Sequence, residues 1–178
     1  MVRAPKSVEV GLDLKIFKIS GTWEPNDAER EAAWELYVEL ITRVAVVPLP
    51  RGQGLLREAL SSLYSVAGTV RQVLREHGPT VAEPKPDGVY NFGYLAVAML
   101  NFVVRPLLSR WHPELEAWEA TRPADRSRAE HESAWPRADE LRAELDTVRS
   151  VLSQYAALLG TACGVPDLSP AIPKPTSA

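Results

Sequence analysis

From Ala138 to Ala162 apolar residues return in alternating steps of three and four without a break: Ala138, Leu141, Leu145, Val148, Leu152, Tyr155, Leu159 and Ala162. That period of about 3.5 residues draws one stripe along a helix, as in left-handed bundles. A helix striped in this way must bury its seam against other elements, which commits the chain to helical packing. Pro136 stands at its start and Gly164-Val165-Pro166 closes it after Cys163, since proline cannot continue a helix and glycine suits the left-handed cap.

Three further helices are expected. Asn26 can cap the first, with Glu29 at its third position as a capping-box partner. Ala33, Tyr37, Leu40, Val44 and Val47 then share one face until Pro48 and Pro50 end it. The second runs from about Gly54 to His77 with Leu56, Ala59, Leu63, Val66, Val70 and Val73 on one face, stopped by Gly78-Pro79. Gly68 in its middle points to close approach of another helix. The third runs from about Asn91 past Trp111 and is the most apolar. Pro106 and Pro113 are expected to kink or break it, because each lacks an amide donor and crowds the turn before it. Ser127 with Glu130 is a second capping-box pair.

One segment breaks the helical period. Val8, Val10, Leu12, Leu14 and Ile16 alternate with polar or small residues, the period-two mark of a half-buried strand. Phe17 and Ile19 shift the pattern by one, as a bulge or strand end would. A lone strand leaves a row of backbone groups unpaired. It is expected to pair across an interface, with a second copy or a partner's strand; the alternative is that it lies along the bundle or pairs with Val44–Val47. The fold expected is mainly α, an antiparallel four-helix bundle with one N-terminal β-strand at about 8–19. Residues 1–165 form one domain, and 166–178 form a Pro-rich disordered tail.

Composition bounds the function. The net charge of −3 with no long basic run disfavours nucleic acid, which needs a clustered cationic face. A single cysteine allows no internal disulfide and fits a reducing cytoplasm. The first ten residues have no apolar core after their basic residues, so no signal peptide is expected. The apolar run Tyr90–Leu108 is short of the ~20 residues of a membrane span and carries Arg105. It is expected to be a buried helix of a cytoplasmic protein.

Chemistry-bearing patterns are sparse. His77, His112 and His131 lie near helix ends and are separated in sequence. They match neither a Glu-x-x-His di-iron pattern nor a zinc ligand spacing, and contacts to terminal carbonyls are expected of them. Cys163 is read as a buried small residue. Asn101 and Arg105, one turn apart on the most apolar helix, are the buried-polar pair. There Arg105 could hold a carboxylate of a ligand or partner, although an internal salt bridge or a snorkelling residue at the helix edge is the commoner role. Trp111, Trp118 and Trp135 form an aromatic region, and such clusters serve either as core or as binding hot spots. No catalytic, cofactor-binding or metal-ligating residue is assigned. The partner-binding residues expected are Val8, Val10, Leu12, Leu14, Ile16, Trp111 and Trp118.

Two stretches, GLLREALSSLYSVAGTVRQVLREHGP (residues 54–79) and LAVAMLNFVVRPLLSRWHPELEAWE (residues 95–119), resemble small helical proteins of actinobacteria encoded beside conflict systems. These include small proteins associated with caspase- and TPR-repeat-linked components. The resemblance implies a non-enzymatic accessory of an immunity or cell-death system. Its partner would be a caspase-like protease, an NTPase or a TPR protein. The functional expectation is therefore a soluble helical interaction or regulatory module without a cofactor, able to homo-oligomerise. A helical-bundle effector that disturbs membranes by exposing Tyr90–Leu108, and an enzyme of unrecognised type, are the alternatives.

Overall fold

A computed structural model describes residues 4–14, 17–43 and 47–172. Strands β1 (Val8–Asp13) and β2 (Lys18–Trp23) open the chain, followed by helices α1 (Asp27–Ile41) and α2 (Leu56–His77). A two-residue strand β3 (Val89–Tyr90) precedes α3 (Phe92–Met99), a π-helical turn (Leu100–Val104) and α4 (Arg105–Glu119). A short α5 (Arg128–Ser133) and the long α6 (Ala138–Cys163) complete it. Because α3, the π turn and α4 run on as one 28-residue helix, the described chain is mainly helical, with five helices and a small three-stranded sheet.

The strand expected to stand alone has a partner within the chain. Its alternation is as read: Val8, Val10, Leu12 and Leu14 are buried, while Glu9, Gly11 and Asp13 face outward. The shift at Phe17 and Ile19 is not a bulge but the chain's return. β2 pairs antiparallel with β1 from Val8↔Trp23 to Asp13↔Lys18, and the Leu14 N–H donates to the Phe17 carbonyl at 3.0 Å. In β2 only Ile19 and Trp23 are buried, so its pattern is too sparse to announce a strand, and no Asn-Gly or Asp-Gly marks the turn. β3 then pairs parallel with the end of β2. The approach is close at Gly21, where a Cβ would lie 2.6 Å from the Gly88 carbonyl oxygen. Ile16 and residues 44–46 of the alternative pairing segment lie outside the described residues.

The α6 seam is buried throughout, from Ala138 to Ala162. α1 packs along it so closely that a Cβ on Gly160 would lie 3.2 Å from the Tyr37 ring. Gly68 is not the close approach expected of it, since a Cβ there would meet nothing within 4 Å. Both capping boxes form, Asn26 with Glu29 and Ser127 with Glu130. Pro106 and Pro113 do not break the long helix. The π turn ends beside Pro106, with the Arg105 N–H donating to the Leu100 carbonyl five residues back, and this wider turn makes room for the proline ring. Of the segment expected to be a disordered tail, residues up to 172 are described. Leu168 N–H donates to Tyr37 Oη at 3.1 Å, and Ile172 packs against the core.

Two buried carboxylates tie these elements together. Glu29, with no exposed surface, accepts from the Asn26 N–H at 2.7 Å, the Trp23 indole at 3.2 Å, the Phe92 N–H at 2.9 Å and Lys85 Nζ at 3.0 Å. It thereby joins the end of β2 to the starts of α1 and α3. Glu132 reaches from α5 to accept from the Leu56 N–H at 2.7 Å, capping α2 where Leu55 offers no side-chain cap. Burial raises the Glu132 pKa, opposed by its hydrogen bonds to Leu56 and Arg57 and by the Arg142 charge.

Candidate functional site

The residues expected to bind a partner fall into two places. On β1 the side chains of Val8, Val10, Leu12 and Leu14 point into the core, so they are not themselves a docking surface. The strand's backbone is different. β1 is the outer strand of the sheet. In an antiparallel ladder the paired and outward N–H groups alternate. With Leu14 bonded to Phe17, the register turns the Glu9 and Gly11 amides away from β2. Among the described residues nothing hydrogen-bonds to either of these amides.

The tryptophans mainly serve packing. Trp111 is fully buried, donates its indole N–H to Glu144 Oε2 at 2.9 Å and carries the guanidiniums of Arg110 and Arg137 over its ring, 4.5 and 4.4 Å from the ring centre. Trp135 meets it edge-on at 5.8 Å. Trp118 is half-buried and stacked on His131. Together with Arg57, Glu119, Arg122, Arg128 and Glu132 that pair lines a cleft of about 320 Å³.

The other chemically dense region is the groove between α2 and the long α3–α4 helix. It is about 420 Å³ and is lined by Tyr64, Ala67 and Arg71 from α2 and by Leu100, Arg105, Leu108, Ser109 and His112 opposite. Its polar end is a chain of contacts. Arg57 donates through Nε and Nη2 to Glu119, at 3.0 and 2.7 Å, and through Nη1 to His112 Nδ1 at 2.8 Å. Because a guanidinium only donates, His112 Nδ1 accepts and the proton of the neutral ring sits on Nε2. That nitrogen is buried without an acceptor among the described residues. Burial, and then the Arg57 charge, hold the His112 pKa below its usual value, against the opposing pull of Glu116 and Glu119.

Of the buried-polar pair expected on this helix, Asn101 is partly buried and its Oδ1 has no partner among the described residues. Arg105 is exposed on the groove's rim. The expected contact to a terminal carbonyl is seen at His131, whose Nε2 lies 2.9 Å from the Trp118 oxygen, whereas His77 meets Glu35 at 2.9 Å. Cys163 is half-buried, donates to the Arg30 carbonyl at 3.4 Å, and burial pushes its thiol up to about 11. Among the described residues no three His, Cys, Asp or Glu side chains gather as a metal site. The helix Phe92–Glu119 is long and apolar enough to cross a membrane, and 56% of its most apolar window is buried inside the fold, as in a core helix of a soluble protein. No protein-family model, curated protein or solved structure matches the chain.

Sequence reasoning missed Tyr64, Arg57 and Glu132. Tyr64 and Arg57 sit on the polar face of α2 and Glu132 is buried at the end of α5, and in each case the partner is set by which helix lies alongside rather than by local spacing.

Proposed function

We propose that this chain is a non-enzymatic interaction module that docks onto a protein partner through the outer edge of β1, its four long helical segments forming a bundle that holds that edge in place. The observation that supports the reading is the outward-turned Glu9 and Gly11 amides on a six-residue edge strand. Such an edge can add to a strand of another chain. With the resemblance of residues 54–79 and 95–119, this favours an accessory role in a cytoplasmic conflict or cell-death system. The partner would then be a caspase-like protease, an NTPase or a TPR protein, or a second copy of the chain.

Co-expression with the products of neighbouring genes, followed by size-exclusion chromatography, tests this. The informative variant is Gly11→Pro. It removes an outward donor while leaving the β1–β2 ladder intact, since proline is tolerated on the free side of an edge strand. The complex, or the homodimer, should be lost while thermal unfolding stays close to that of the unaltered chain. A complex that survives Gly11→Pro unchanged excludes docking through this edge.

A further inference from the structure

The groove between α2 and the α3–α4 helix carries recognition groups that the fold itself leaves unused. Arg71 projects from α2 and Arg105 from the start of α4, both exposed on its rim. Among the described residues Arg71 hydrogen-bonds through its guanidinium only to the Ala67 carbonyl of its own helix, and no carboxylate pairs with either guanidinium. Nearby Arg57, in contrast, is held by Glu119. The groove's apolar lining comes from Ala67, Leu100 and Leu108. Tyr64 stands beside it with 64% of its surface exposed, an amphipathic ring of the kind that anchors interfaces.

We propose that this groove binds an acidic, apolar peptide segment of a protein partner, with two carboxylates on Arg71 and Arg105 and an aliphatic side chain between them. Charge complementarity selects the occupant. A guanidinium matches a carboxylate as a planar fork, and the apolar strip rewards burial of one side chain. Nucleic acid would need a wider cationic field than two arginines on a chain of net charge −3. An anionic membrane would need a cluster of four or more basic residues. The long helix's π turn ends at Val104, directly before Arg105, a local distortion of the kind frequent at functional sites. This site is separate from the β1 edge, so either can fail alone.

The test uses the full chain and three fluorescein-labelled peptides of alternating Glu and Leu, Gln and Leu, or Lys and Leu, read by fluorescence anisotropy. The Glu peptide should bind, and more weakly as salt rises. The Gln and Lys peptides should bind about a hundredfold more weakly, since each loses both charge-assisted contacts at about tenfold apiece. Arg71→Gln with Arg105→Gln should weaken the Glu peptide about a hundredfold if the two contacts add. Both residues are exposed, so the melting curve should not move. Gly11→Pro should leave peptide binding intact, which separates this site from the edge. No anisotropy change at about 1 mM chain, equal binding of the three peptides, or binding insensitive to the double variant would each overturn the proposal.

Discussion

Trp118 and His131 hold each other twice. The indole N–H donates to the His131 carbonyl at 2.9 Å, and His131 Nε2 donates to the Trp118 carbonyl at 2.9 Å, with the rings stacked 4.6 Å apart at 10°. A carbonyl only accepts, so this contact fixes the proton on Nε2. The pair fastens the last turn of α4 to α5, and α5 in turn presents Glu132 to the start of α2. Trp118→Phe keeps the stacking surface and removes one donor. It should lower stability by about 1 kcal/mol in urea unfolding. An unchanged midpoint would mean that the reciprocal bonds do not hold the two helices.

Glu29 offers the sharper stability test. Three N–H groups and the Lys85 ammonium converge on a carboxylate with no exposed surface. Glu29→Ala strands those donors inside the fold and should lower stability by roughly 3–5 kcal/mol, the range for breaking a buried charge pair. Glu29→Gln keeps one acceptor and should fall between. A Glu29→Gln variant as stable as the unaltered chain in chemical denaturation would show that the carboxylate's charge contributes nothing.

How much of this could be read from the chain follows from range. The α6 seam, both capping boxes, the Gly78 stop and the alternation of Val8–Leu14 depend on residues within one or two turns, and all were legible. Glu29 was legible as the partner of Asn26, but its bonds to Lys85 and Phe92 span 56 and 63 residues and have no local signature. β2 stayed hidden because Gly21 interrupts its apolar face between Ile19 and Trp23. The groove was half legible. Arg105 stands out on an apolar helix, whereas Tyr64 and Arg71 read as an ordinary polar face until α4 lies beside them.

His112 should give stability a pH dependence of known sign. Its pKa is lowered in the folded chain by burial and by Arg57, so the unfolded chain takes up the proton first. As pH falls through the unfolded value of about 6.5, the unfolded state binds more protons and the folded state is progressively disfavoured, until pH drops below the folded pKa. Above that window the histidine is neutral in both states and contributes no slope. His112→Gln should flatten the pH dependence of the urea midpoint on the acidic side of 6.5. A steeper slope in the variant would reverse the assignment.

Gly68 gives a gain rather than a loss. It sits in the middle of α2 on an exposed face, its φ is not in the left-handed region, and a Cβ there would meet nothing within 4 Å. The packing reason that would retain a glycine at this position is therefore missing. Glycine in a helix interior is less favourable than alanine by about 1 kcal/mol, because the unfolded chain has more backbone freedom to lose. Gly68→Ala should raise the denaturation midpoint by that amount without altering peptide binding to the neighbouring groove. The control is Gly160→Ala, where the added Cβ would press on the Tyr37 ring at 3.2 Å and stability should fall. If Gly68→Ala also destabilises, something approaches α2 at this point in solution. The exposed face of the helix would then be an interface.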